Sequence, residues 1–429
     1  MDFIKRIVIA ILVLEAKAVL SRYRPRILAI TGSVGKTTTK EAIAAALAGE
    51  IRTRKSEKSH NGELGVALTI LGLDNAWKSP WGWTMNILRG ALLIIRRGAY
   101  PDWLVLEVGA DRPGDIRTIA RWLQPDIAVI TGVSDIPAHV EFFDSPEHVF
   151  KEKRSLARYL RPGGTLVLNG DDARMMNLRN QFRGATVTYG CEPHNDFFAS
   201  HTEILYEDAV PAGVQFRVNR KGSSVPVVVH GALGLPRVYA ALAAIVSAEA
   251  VGIDAVSAAR NLSAWAPPAG RVRLLRGIKQ SLIIDDSYNS SPAAALAALD
   301  TLREVRAGRR IAVLGDMLEL GKYTKDAHKL VGERAAQCAD KLITIGIRAR
   351  SIGEAALDSG MRDEQILEYE SRDVARAADE LARELREGDV VLVKGSQGMR
   401  LEKFVLGIMA EPDRAAELLV RMDPEWQSR

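Results

Sequence analysis

Short apolar runs alternate with helix-period segments through most of this chain, a pattern that predicts strands separated by crossover helices. Ile27 to Thr31 reads as a strand, followed by a Gly-rich turn and an Ala-rich helix from about Lys36 to Leu47. Trp103 to Val108, Ile127 to Thr131 and Thr165 to Asn169 are further buried strands, apolar throughout, as strands covered on both faces must be. Between Thr186 and His230 the texture changes to short alternating β segments with turns. Ala240 to Ala250 reads as an Ala-rich helix, and "WAPPAG" at Trp265 to Gly270 as a linker, because Pro-Pro cannot continue a helix. A second α/β unit starts near Arg271, with strands at Leu282 to Asp285, Arg310 to Leu314, Leu342 to Ile345 and Val390 to Lys394. The expected architecture is a helix over residues 1–24, a central unit over 25–268 with a mostly parallel sheet, and a Rossmann-like α/β unit over 269–429.

Two segments stand outside this alternation. Lys5 and Arg6 precede an apolar run from Ile7 to Leu14, which Glu15 and Lys17 interrupt. That run falls short of the ~20 residues a spanning helix needs. It fits a helix covering the first sheet, an interfacial helix touching a membrane through residues 3–20, or a cleaved signal ending at "EAKAV". Farther on, Trp77, Trp81 and Trp83 lead into a basic apolar segment with Arg89, Arg96 and Arg97, whose expected role is a helix packed on the sheet, with a membrane or partner contact as the alternative.

Composition narrows the class. The 429 residues exceed one ordinary core, and 47% hydrophobic with 26% charged residues describe a folded soluble protein. A net charge of +5 suits anionic small substrates or a membrane surface and does not argue for nucleic acid. Cys191 and Cys338 are the only cysteines, too few for a disulfide framework or a thiolate metal site, and a reducing cytoplasmic setting fits.

The sharpest chemical signal is "AITGSVGKTTTK". Gly32 and Gly35 let the amides of Ser33, Val34, Thr37 and Thr38 turn toward phosphate oxygens, and the following helix adds its positive dipole end. Lys36 is placed to reach the β- and γ-phosphates and the Thr37 hydroxyl to ligate Mg2+, so ATP and Mg2+ are the expected cofactors.

Together with "NGELGVALTIL", "LEVGADRPGDI", "AHVEFF", "LNGDD", "IIDDSYNSSP", "AVLGDMLELG" and "VLVKGSQGMRLEK", this loop resembles the Mur ligases over roughly Ile27 to Ile408. "DDSYNSSP" followed by "VLGDMLELG" points to the branch that adds D-alanyl-D-alanine to a UDP-N-acetylmuramoyl tripeptide. The resemblance implies a cytoplasmic, ATP-dependent amide-forming ligase of peptidoglycan precursor synthesis working through an acyl phosphate, and a monomer is expected. It assigns Glu107 and His139 to Mg2+, and Lys153, with neighbouring Lys151 as the competitor, to carbamylation, which turns an ammonium into an anionic ligand able to hold a second ion. Arg271 is matched to the arginine that reaches the γ-phosphate on domain closure, and Asp285, Asp286, Tyr288 and Asn289 to the nucleotide side of the cleft. Asp316 and Glu319 are matched to the positioning of the incoming amine or of a metal, with a structural loop role as the alternative, and Lys394 and Ser396 to the segment that meets the incoming dipeptide's carboxylate.

Three departures limit what carries over. Only Met1 to Arg26 stand before the first strand, so nucleotide-sugar recognition does not follow and a lipid-linked acceptor at the inner membrane surface is open. "PRVYA" (Pro236 to Ala240) stands where "HNVxN" is common, which leaves the adenine contact open. Gln397 stands where an arginine is common, without the charge or the fork that clamps a carboxylate; Arg400 is the candidate replacement. A nucleotide-binding switch without ligase chemistry is the rival from another class, and it has no use for a carbamylated lysine.

Overall fold

The computed structural model describes residues 2–57, 60–96, 98–423 and 426. Helix α1 (Asp2–Tyr23) leads into β1 (Arg26–Thr31), α2 (Lys36–Ala46), β2 (Thr53–Lys55), α3 (Glu63–Leu71) and α4 (Pro80–Ile95). Then come β3 (Trp103–Glu107), α5 (Asp115–Leu123), β4 (Ile127–Ile130), α6 (Pro146–Arg158), β5 (Thr165–Asn169) and α7 (Ala173–Gln181). A run of strands follows, β6 (Ala185–Gly190), β7 (Phe197–Glu207), β8 (Val210–Arg220) and β9 (Ser223–His230), before α8 (Leu235–Val251) and α9 (Ala255–Ser263). These strands form one nine-stranded sheet in the order β2-β3-β1-β4-β5-β6-β7-β8-β9. It is parallel from β2 to β7, and β7 to β9 close it as an antiparallel meander, which accounts for the change of texture after Thr186.

A second, six-stranded sheet has the order β10-β11-β15-β12-β13-β14. Its strands are β10 (Arg273–Arg276), β11 (Leu282–Asp286), β12 (Arg309–Gly315), β13 (Lys341–Ile345), β14 (Ile366–Tyr369) and β15 (Asp389–Lys394). Only β10, at the edge, runs antiparallel. Helices α10 (Pro292–Glu304), α11 (Thr324–Cys338), α12 (Arg350–Asp358), α13 (Val374–Glu384) and α14 (Glu402–Ile408) cover it. The linker Trp265 to Gly270 carries no regular structure, as its prolines require.

Register places the chemistry. In the first sheet β1 lies between β3 and β4, pairing Ile30 with Glu107 and Thr31 with Ile130. Glu107 therefore ends its strand beside the turn that leaves β1. In the second sheet Asp286 pairs with Lys394 at the same ends of β11 and β15. Open α/β sheets gather ligand groups at these carboxyl ends, and here the two sets face one cleft.

Helix α1 packs on α3 and α4 beside the first sheet. Leu12, Val13, Ala16, Val19 and Leu20 are buried in the same core as Ile27 to Ile30, each large side chain adding roughly 1.5–3 kcal/mol of transfer free energy. Helix α4 departs from expectation: it packs along α1 rather than on the sheet. Arg97 lies outside the described residues.

Candidate active site

The turn after β1 is built for a close ligand approach. Gly32 has φ +148°, and a Cβ there would lie 2.0 Å from Thr131 Oγ1, so no side chain fits. Gly35 opens α2 in the left-handed region at φ 82°, with no side chain capping the helix. The first-turn N–H groups of α2 are thus left to an outside acceptor. Lys36 Nζ folds over the mouth of the turn, donating to Gly32 O at 2.9 Å and Ser33 O at 3.5 Å. Burial lowers the Lys36 pKa, against the pull of Glu107.

Glu107 is 1% exposed. Its Oε1 accepts from Asn61 Nδ2 at 3.2 Å, while Oε2 is buried with no partner. An unsatisfied buried carboxylate oxygen is expensive, and a cation removes that cost. Uncapped amides, a glycine cradle, Lys36, Thr37 and a bare carboxylate oxygen are together the donor set that a triphosphate with Mg2+ requires. Among the described residues no three His, Cys, Asp or Glu side chains gather to hold a metal alone. A metal there needs phosphate oxygens and other ligands as well.

Lys153, on α6, is 2% exposed. Burial pushes its pKa down to about 7, with the Lys36 charge adding to the shift and Glu152, Asp111 and Glu107 opposing it. Glu152 itself turns away and accepts from the backbone N–H groups of Gly114, Ile116 and Arg117, tying α6 to the start of α5. His139 lines the same cleft in a left-handed conformation at φ 65°. Its Nδ1 lies 2.6 Å from Glu319 Oε2, across from the second sheet. That hydrogen bond holds the Glu319 pKa below its ordinary value.

From the second unit, Arg271 NH2 reaches Thr37 Oγ1 at 3.4 Å, and its guanidinium lies 4.1 Å from the Tyr288 ring centroid. Lys394 Nζ donates to Asp286 Oδ2 at 2.5 Å and to Asn289 O at 3.0 Å. Asp285 is held inward, accepting from Gly270 N and Ser287 N, and burial raises its pKa to about 6. Asp286, Tyr288, Asn289, Lys394 and Gln397 line the cleft with the phosphate loop, Glu107 and His139.

Not every expected residue is there. Asp316 accepts from Arg348 N and Ala349 N and is 3% exposed, so it braces a loop of the second sheet. Ser396 Oγ accepts from Leu318 N at 2.8 Å and is likewise part of the loop packing. Both were expected at the substrate; the backbone amides they satisfy are the reason they face inward. Glu319 meets His139 instead of open space. Arg400 donates to Glu402 at 2.5 Å and lies against Trp426, so Gln397 alone of the two faces the cleft.

Comparison with known proteins decides the family. The Mur ligase middle domain profile matches residues 30–248, and the Mur ligase glutamate ligase domain profile matches residues 270–397. The chain belongs to the Mur ligase family. This Mur ligase is 30% identical over 401 residues to the UDP-N-acetylmuramoyl-tripeptide–D-alanyl-D-alanine ligase of Bacillus subtilis, covering 92% of this chain and 79% of that one. The enzyme of the same name from Mycobacterium tuberculosis is 31% identical over 409 residues, covering 90% and 73%. Among solved structures, MurF of Thermotoga maritima in complex with ADP aligns with TM-score 0.76 at 24% identity, over 95% of this chain and 84% of that one. MurF from Acinetobacter baumannii gives 0.76 at 22% identity, over 93% and 79%. These two likenesses establish the shared fold.

Four residues of this Mur ligase escaped the sequence reading. Asn61 orients Glu107, and the quoted "NGELG" motif was its signal. Asp111 lines the cleft from "GADRPGD". Arg421 donates to Ser287 O, Tyr288 O and Glu402, fixing the loop that carries Asp286 and Asn289; no local pattern marks it. Arg237, in the departing "PRVYA", is 1% exposed and lines the cleft, and both its terminal nitrogens lack a hydrogen-bond partner. It lies 5.5 Å from the Trp265 ring centroid; burial works against its charge and Asp286 for it.

Proposed function

We propose that this Mur ligase joins the carboxylate of a UDP-N-acetylmuramoyl tripeptide to the amine of D-alanyl-D-alanine at the expense of ATP. A carboxylate oxygen attacks the γ-phosphorus and ADP leaves. The amine nitrogen then attacks the acyl carbon, loses a proton, and expels phosphate as the amide forms. Support comes from the curated relatives named for this activity, at 30% identity over most of both chains. The single observation carrying the chemistry is the partnerless Glu107 Oε2 beside an uncapped, glycine-cradled helix start.

In this reading the amides of Gly32 to Thr38 and Lys36 hold the phosphates, and Thr37 and Glu107 hold Mg2+. The bound ion shields charge between nucleotide and carboxylate. Lys153 is carbamylated and, with His139 Nε2, would hold a second ion, while His139 Nδ1 stays on Glu319. Arg271, already touching Thr37, meets charge as it develops on the γ-phosphoryl group. Asn289 and Asp286 flank the nucleotide, and Lys394 with Gln397 faces the incoming dipeptide. The enzyme acts as a monomer in the cytoplasm.

ADP release by purified protein tests this, with Mg-ATP, UDP-muramoyl tripeptide and D-alanyl-D-alanine each omitted in turn. Release that needs all three is expected. Release only with a lipid-linked acceptor moves the substrate to the membrane surface, a second reading favoured by the exposed Ile4, Ile7 and Leu14 of α1. Nucleotide binding without turnover on either acceptor returns the protein to a switch.

A further inference from the structure

Helix α4 is apolar over most of its circumference. Asn86 and Gly90 are its buried residues, and Trp83, Ile87, Leu93 and Ile94 pack half-buried against the core. A Cβ at Gly90 would lie 2.1 Å from Glu15 Oε2, so the glycine is what lets α1 approach. Its outer face is apolar. Trp81, Leu88, Leu92 and Ile95 recur at helical spacing and are 45–74% exposed. Helix α1 repeats the pattern with Ile4, Ile7 and Leu14 exposed on one side and Leu12, Ala16 and Val19 buried on the other.

The helices run side by side in the same direction. Besides the Glu15–Gly90 contact, Tyr23 Oη donates to Leu93 O and Arg96 O at 3.0 Å each, joining their carboxyl ends. Each helix therefore carries an exposed apolar stripe, and the packed pair makes up an α1–α4 face. Exposed basic residues border it, Lys5 and Arg6 on α1, and Arg89 and Arg96 at α4. Helix α4 has no acidic residue, and the only acid in α1 after Phe3 is the buried Glu15. Exposed Trp77 and Trp81 stand at its amino end, the residue type that favours a lipid–water boundary.

We propose that the α1–α4 face docks on an anionic lipid bilayer. Exposed apolar residues gathered on two packed helices mark a contact site, and the exposed Lys5, Arg6, Arg89 and Arg96 beside them are complementary to acidic headgroups. The contact lies in the interface plane, since no helix among the described residues is long and apolar enough to cross a membrane. Helix α1 is joined to β1 by Arg24 and Pro25 alone, so the face belongs to the same unit as the phosphate loop. That docking serves substrate delivery rests on the ligase reading; the docking itself does not.

The test is co-flotation of the full-length protein with vesicles of phosphatidylcholine alone or with 30% phosphatidylglycerol, at about 0.1 M salt. Binding only to the anionic vesicles is expected. The pair Leu88→Glu and Leu92→Glu removes it at least tenfold, and Lys5→Gln with Arg6→Gln weakens it about fivefold per charge. ADP release on the soluble acceptor stays unchanged in all of them, which shows intact folding and separates this result from a failure of the ligase reading. No binding to anionic vesicles, or binding that the two glutamates leave intact, overturns the proposal. Concentration-dependent self-association abolished by the same glutamates, without vesicle binding, makes the face a protein interface and overturns it equally.

Discussion

The buried Lys153 amine is the most testable group beside the cleft, because carbamylation needs the neutral amine. An ordinary lysine with pKa near 10.4 is neutral in about 1 molecule in 2,500 at pH 7. Lys153, with its pKa pushed down to about 7 by burial and by Lys36, is neutral in about half. The reactive fraction is thus about a thousandfold larger, and it falls about tenfold per pH unit below 7. Protein stripped of carbon dioxide at pH 6 and returned to labelled bicarbonate at pH 8 is expected to show a carbamate carbon signal by 13C NMR and to regain ADP release with it. Returned to bicarbonate at pH 6, it stays largely unmodified. Lys153→Ala is expected to lose ADP release at least a hundredfold and to recover part of it with acetate or formate, which restore an anionic oxygen donor. Lys153→Arg, which cannot be carbamylated, is not rescued while its guanidinium fills the space. Full activity of Lys153→Ala, or wild-type activity with no carbamate signal, refutes the reasoning.

Three further outcomes are expected. Glu15→Gln removes a buried charge whose partnerless Oε2 and raised pKa, about 7 against 4.5, make the ionised form unfavourable; the wild type loses stability as pH rises from about 4.5 through 7, so the variant gains up to about 3 kcal/mol at pH 8 and nothing at pH 4.5 by urea unfolding. An equal gain at both pH values excludes charge as the cause. Lys36→Met is expected to lower ADP release at least a thousandfold while leaving the melting temperature unchanged or higher, since a partly buried ammonium is removed. Arg237 offers hydrogen-bond donors only, which favours a purine with acceptors at both N7 and C6; Arg237→Asn is expected to lower turnover with GTP relative to ATP at least fivefold, and an unchanged ratio places the guanidinium off the base.

The alternation of apolar runs made the parallel sheets legible, because each buried strand must be apolar along its length while the crossover helices keep a 3.6-residue period. The phosphate loop was legible for a similar reason: Gly32, Gly35, Lys36 and Thr37 perform their work within one turn, so their chemistry and their spacing coincide. Glu107, His139 and Arg271 were found only through motifs resembling the Mur ligases, since nothing local distinguishes them from a buried, a surface and a linker residue. The substrate-side residues show the limit. Asp316 and Ser396 occur in motifs like those of the family, yet they are occupied by backbone amides of Arg348, Ala349 and Leu318. Arg421 reaches the Ser287–Tyr288 loop from the far end of the chain, a partnership that no spacing encodes.

By itself, then, the sequence determined the fold class, the nucleotide loop and the order of the elements, all of which depend on periodicity and on residues near one another in the chain. Tertiary structure alone decided which face of each element meets what. The same apolar residues of α1 and α4 read as core in a one-dimensional pattern, but each helix has two sides. Gly90 admits Glu15 on one of them, and that close approach turns Trp81, Leu88, Leu92 and Ile95 to the outside. Burial is a property of neighbours, and the neighbours are set by chain segments far apart in sequence.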